Sequence, residues 1–146
     1  MDDNTKFLRA LLRQDWDTYN AYVAEYTRQG IGTPVAIIAC AFHLAVQRRF
    51  KSTGSMAEII RFVADTRVFF ADGKDLPPRE AEALICAVLD MDAPWVEEIV
   101  DRIDILALSK IEGQLVIKLI LDEDLSDDEL DAFLADAEHL LHEQGQ

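Results

Sequence analysis

After Lys118 the chain contains no lysine or arginine, while ten acids follow. The shortage of cations is regional. Residues 1–61 carry eight Lys/Arg against six Asp/Glu, residues 62–146 carry six against 22, and the net charge is −14. Such a balance disfavours direct nucleic-acid binding, whose affinity depends on neutralising phosphates. Long apolar runs are also missing. The longest near-continuous one, Pro34 to Val46, is interrupted by His43 and is well short of the ~20 residues that a membrane span needs. No basic segment leads into an apolar run at the start, so no secretory signal and no membrane association are expected. Cysteine is scarce: Cys40 and Cys86 stand in apolar, helix-patterned surroundings and are expected as reduced core residues of a cytoplasmic protein. Strand patterning is absent, the nearest β-rich window being Val116 to Ile120, between helix signals.

Motifs for catalysis and cofactor binding are lacking as well. There is no Gly-x-Ser-x-Gly elbow, and neither cysteine has a setting that would make it a nucleophile. Gly30-Ile31-Gly32 is too short for a dinucleotide loop and precedes no βαβ pattern. Asp72-Gly73 followed by Glu80 fails as a calcium loop. With Gly73 at the loop's sixth position, Val68, Phe70 and Arg79 occupy places that need oxygen ligands. His139 and His142, with Asp136, Glu138 and Glu143 close by, have metal-ligand chemistry, but a di-iron bundle needs Glu-x-x-His on two helices. Only Asp136 to His139 approaches that spacing, and the dipole at a helix C-terminus is sufficient reason for two histidines there. His43, inside the most apolar helix, reads as a core histidine. No catalytic residue, metal or cofactor is therefore assigned.

What is present is helix patterning throughout. Half of the residues are hydrophobic and 29% are charged, too apolar for a disordered chain, and the length suits one domain spanning residues 1–146. Phe7, Leu8, Leu11, Leu12, Trp16, Tyr19, Val23 and Tyr26 keep helical spacing over Thr5–Arg28, and Gly30 stops that helix. Thr33 and Pro34 open a second helix to Phe50. Ser55 with Glu58, Ser109 with Glu112, and Ser126 with Glu129 form capping boxes for three more. Asp72-Gly73-Lys74-Asp75 is a turn, Pro77 and Pro78 start another helix, and Asp92 caps the one through Pro94 and Trp95. The pattern predicts an all-α, compact single-domain bundle of about seven helices around a buried central helix, Pro34–Phe50. Its expected core includes Ile37, Ile38, Phe42, Leu44, Phe62, Val63, Ile85, Leu89, Ile99, Leu115, Leu119, Phe133 and Leu134.

Two groups of side chains are candidates for binding. Asp122, Glu123, Asp124, Asp127, Asp128 and Asp131 crowd the start of the last helix beyond what capping requires. With Tyr22, the aromatic of the first helix expected to be exposed, they form a candidate surface for a protein partner with basic character. Arg48, Arg49 and Arg61 could gather into an anion site, unless the acidic half of the chain neutralises them. The leading expectation is a non-enzymatic regulatory or adaptor protein that binds a partner through its acidic C-terminal surface. The alternatives are an acidic mimic of nucleic acid, acting as an inhibitor or immunity protein, and a helical domain binding a small molecule or metal. Homo-oligomerisation stays open.

Three stretches, Ala41–Phe50, Ala57–Arg67 and Glu80–Ile85, resemble a pattern in small uncharacterised helical proteins of actinobacteria. The resemblance implies a helical fold and a bacterial source, and it carries no catalytic residue. Phe70 to Ala81 also resembles the acidic turn of tellurite-resistance helical domains, with a spacing one residue too long.

Overall fold

The computed structural model describes residues 3–51, 54–70, 76–91 and 93–144. Eight helices account for nearly all of them: α1 Asp3–Leu12, α2 Trp16–Arg28, α3 Val35–Phe50, α4 Met56–Phe69, α5 Pro78–Val88, α6 Pro94–Arg102, α7 Ile105–Glu123 and α8 Asp127–Gln144. No strand occurs among the described residues, and no helix is long and apolar enough to cross a membrane.

The first expected helix is two. After Leu12 the chain turns at Gln14, which sits in the left-handed region at φ 56°. The turn is closed by hydrogen bonds from Gln14 N–H to the Leu11 carbonyl (3.1 Å) and from Asp15 N–H to the Ala10 carbonyl (2.9 Å), which end a helix in the usual way. Asp15 then caps α2, its carboxylate accepting from the Thr18 amide at 3.3 Å and the Thr18 hydroxyl at 2.7 Å. The apolar spacing runs through this corner unbroken, which is why periodicity alone does not reveal it. Asp90 and Asp124 adopt the same left-handed conformation after α5 and α7, and Gly30 does so after α2, as expected.

The capping boxes fare differently. The Ser55 hydroxyl accepts from the Glu58 amide at 3.2 Å, and Ser126 and Glu129 satisfy each other's amides at 3.2 and 2.9 Å. Ser109 and Glu112 form no box. Helix α7 begins four residues before Ser109, where Asp104 accepts from the Ala107 amide at 2.9 Å, so both residues lie inside it. Helix α6 starts at Pro94 with Ala93 as its N-cap; Asp92, and the expected turn at Asp72–Asp75, lie outside the described residues.

The centre is a pair of helices. α3 packs on α1, α5, α7 and α8, while α7 packs on α1, α3, α4 and α5. Phe7, Ile37, Phe42, Ile59, Ile85, Leu115, Leu119, Phe133 and Leu134 are fully buried between them. Leu44, Leu89 and Ile99, expected in the core, are half-buried against it, and His43 is exposed. Both cysteines are buried and free, with their thiols pushed up by desolvation. α2 and α6 are outer elements, packing on α1 and α5 respectively. α2 buries no residue completely; its rings lie on α1, with Phe7 and Tyr19 stacked at 5.1 Å. The stretches Ala41–Phe50, Ala57–Arg67 and Glu80–Ile85 lie on α3, α4 and α5.

Candidate functional site

The acidic cluster and the arginine cluster, read from the sequence as two sites, meet at one corner and pair with each other. Arg48 donates to Glu123 at 2.6 Å, Arg49 approaches Asp122 at 3.6 Å, and Lys118 holds Asp122 from one turn away. Arg13 pairs with Asp127, and Arg9 with Asp131. The guanidinium of Arg48 lies over the Phe133 ring at 5.3 Å, and that of Arg49 over Phe62 at 5.7 Å. Cations and carboxylates therefore alternate along the α7–α8 corner. This arrangement offers neither an uninterrupted anionic track nor a free anion site. Arg61 forms no ion pair among the described residues and shares a shallow depression with Arg49, Glu58 and Asp65, whose carboxylates make it a mixed-charge surface. Of the six acids, Asp124 and Asp128 are exposed and form no ion pair among the described residues. Tyr22 is half-buried, stacked on Tyr26 at 6.2 Å.

His139 and His142 each turn to a glutamate on their own helix, Glu143 at 3.0 Å and Glu138 at 3.5 Å. No group of three or more His, Cys, Asp or Glu among the described residues is arranged to hold a metal.

A different feature has the shape of a binding site. Because α2 packs on α1 alone, a gap remains between α2 and the first half of α7. It forms an open cleft of about 380 Å³, at the small end of the ~300–1,000 Å³ typical of small-molecule sites. One wall is Trp16 and Tyr19, whose rings meet edge to face at 5.5 Å. Leu11, Val35, Ile38, Phe70 and Ile117 add apolar lining, with Thr33 among them. The facing wall is a stripe of α7, Leu106, Ser109, Lys110, Gly113 and Gln114, residues three and four apart that share one side of the helix. Trp16 is 43% exposed and Leu106 78%, so the mouth presents apolar surface to water. A wider depression of about 410 Å³ over the α5–α6 turn is more polar, with Asp90 and Glu97 in its lining.

Gly113 makes the cleft. A glycine inside a helix costs about 1 kcal/mol relative to alanine, and it is usually explained by close packing. Here a Cβ would meet nothing within 4 Å. Next to it in the stripe, Gln114 has its Oε1 enclosed with no hydrogen-bond donor, an expensive state for a buried acceptor. On another face of α7, Glu112 is 8% exposed, and burial raises its carboxyl to about 7. Its charge also pushes up the Cys40 thiol.

Sequence reasoning gives the cleft residues other roles: Leu11, Trp16 and Tyr19 keep helical spacing, Ile38 is a core position and Ser109 a cap. The Ser109–Glu112 reading placed Gly113 at a helix start, where glycine is unremarkable in its cost. The available signal was Asp104, a cap that puts Gly113 in mid-helix. Compared with known proteins, the chain matches no family model, no curated protein and no solved structure.

Proposed function

We propose that this is a non-enzymatic regulatory protein of the cytoplasm that works by binding a small, largely apolar molecule in the cleft between α2 and α7. The observation that carries this reading is Gly113: a helix-destabilising residue faces open space in the α7 wall of a largely apolar cleft, so its cost is offset by no packing but leaves the cleft open. Apolar surface at Trp16 and Leu106 supplies the affinity, since covering it removes it from water. The test is a thermal-shift screen of apolar fragments against the protein and its Gly113→Leu variant. A leucine there projects into the cleft from a Cβ that meets nothing within 4 Å. Fragments that raise the Tm of the parent but not of the variant support the reading; fragments that stabilise both equally, or none at all, overturn it.

A second reading keeps the adaptor role, with a basic protein partner docking on the acidic corner. It is favoured by Asp124 and Asp128, which are exposed and unpaired among the described residues, and by the weakness of surface ion pairs, which a partner's cations can exchange. In this reading, a pull-down retains a basic partner at low salt, sheds it at high salt, and loses it when Asp124 and Asp128 are changed to lysine. Retention by the doubly substituted protein would exclude it.

A further inference from the structure

The charge inventory of the cleft is the reverse of that of the chain. Acids outnumber bases 28 to 14 in the protein, yet among the described residues no Asp or Glu lines the cleft, and Lys110 does. Arg9, Arg13, Arg28, Arg48, Arg49 and Lys118 all hold a carboxylate. Lys110 is exposed and has no ion pair among the described residues. Lys6, Lys51, Arg61, Arg79 and Arg102 likewise form no ion pair among the described residues; Lys110 is distinguished by its place in the lining of the apolar cleft, where it can meet an anion.

A second group converges on the same place. Gln114 lies one helical turn beyond Lys110 on the same face of α7, and its enclosed Oε1 has no donor. The terminal amide torsion is soft. Turning it over exchanges the oxygen with the NH₂ and sets a donor where the unpaired acceptor stands. The Ser109 hydroxyl adds a third donor beside Lys110. Opposite these polar groups are Trp16, Tyr19 and Phe70, flat surfaces suited to a flat partner.

We propose that the cleft takes a small planar apolar carboxylate of one or two rings, with its ring system between Trp16 and Gly113 and its carboxylate on Lys110 and Gln114. This rests on the reading of the cleft as a ligand site and adds the chemical class. The size limit follows from the roughly 380 Å³ available.

The test uses three matched probes, 1-naphthoate, 1-naphthylmethanol and 1-naphthylmethylamine, with calorimetry and with Trp16 fluorescence in a Trp95→Phe background. Naphthoate is expected to bind one to one and at least tenfold more tightly than the alcohol, with the amine weakest. Lys110→Ala should weaken naphthoate about tenfold, the loss of a charge-assisted contact, and leave the alcohol within about twofold. Gly113→Leu should abolish binding of all three while circular dichroism stays that of the parent. If the three probes bind alike and Lys110→Ala changes nothing, the anionic class is wrong while the cleft remains a site. If naphthoate binding survives Gly113→Leu, or no probe binds, the cleft itself is not the site and both readings fall.

Discussion

The Arg48 guanidinium donates to the Glu123 carboxylate at 2.6 Å, joining two residues that sequence reasoning assigned to different binding surfaces. Both clusters were visible as charge; their contact was not, because 75 residues separate the pair. The corner they close holds α3 to the end of α7, and Arg48 also lies over Phe133 of α8. A guanidinium contributes through its planar face and its stem as well as its charge.

That double role predicts an asymmetry. Arg48→Ala should destabilise the fold more than Glu123→Ala, because only the former uncovers Phe133. The coupling between them in a double-mutant cycle should be about 0.5 kcal/mol, the range of exposed pairs, and should shrink as salt is raised. Urea unfolding of the four proteins at two salt concentrations measures it. Equal losses would mean that the arginine acts through charge alone.

The α1–α2 corner gives a second prediction. Gln14 holds φ 56°, a conformation that costs a non-glycine residue about 1 kcal/mol or more. Gln14→Gly should therefore stabilise the fold by about 0.5–1 kcal/mol. Asp15→Ala removes the cap on Thr18 and should cost about 1 kcal/mol. Shifts of the urea midpoint in opposite directions are the expected result. A destabilising Gln14→Gly would mean that the glutamine side chain contributes more than its backbone strain costs.

The same corner shows where the sequence was legible. Helix class, the reciprocal Ser126–Glu129 box and most core positions follow from local chemistry, since spacing and caps act over a few residues. The left-handed turns at Gln14, Asp90 and Asp124 carry no glycine; Pro94 and the Ser126–Glu129 box mark the new helices after the last two, whereas the turn at Gln14 leaves the apolar period intact and escapes a periodic reading. The cleft depends on one of them: α2 leaves the body of the fold only because the chain turns at Gln14. His43 was misplaced for a related reason. Although α3 is apolar, it still has an outer face, and His43 lies on it. Glu112 was missed because its polarity was assigned to a cap that Asp104 supplies.

Glu112 predicts a pH dependence of stability. Its carboxyl is raised from 4.5 to about 7 by burial. Below pH 4.5 both the folded and unfolded chains hold the proton, and no cost arises. As pH rises from there to about 7, the unfolded chain releases it first, the folded chain binds more protons, and stability falls. Above that window the loss is constant, of order 3 kcal/mol. Glu112→Gln should remove this slope, so the variant gains over the parent as pH rises from about 5 to about 8. The difference in urea midpoints at the two pH values checks it. A gap that does not widen would show that the carboxyl ionises freely in the folded protein.

Gly113 supplies the last prediction, and it separates stability from binding. In mid-helix, alanine is favoured over glycine by about 1 kcal/mol, and the added methyl meets nothing within 4 Å. Gly113→Ala should therefore raise the urea midpoint by the equivalent of about 1 kcal/mol. The same methyl stands in the cleft wall between Lys110 and Ile117, so any ligand seated against Gly113 should bind the variant more weakly. A protein that becomes more stable as it loses affinity is the expected signature of a glycine kept for space. If Gly113→Ala is instead destabilising, the open space is occupied in solution, and the cleft closes where α7 now leaves it open.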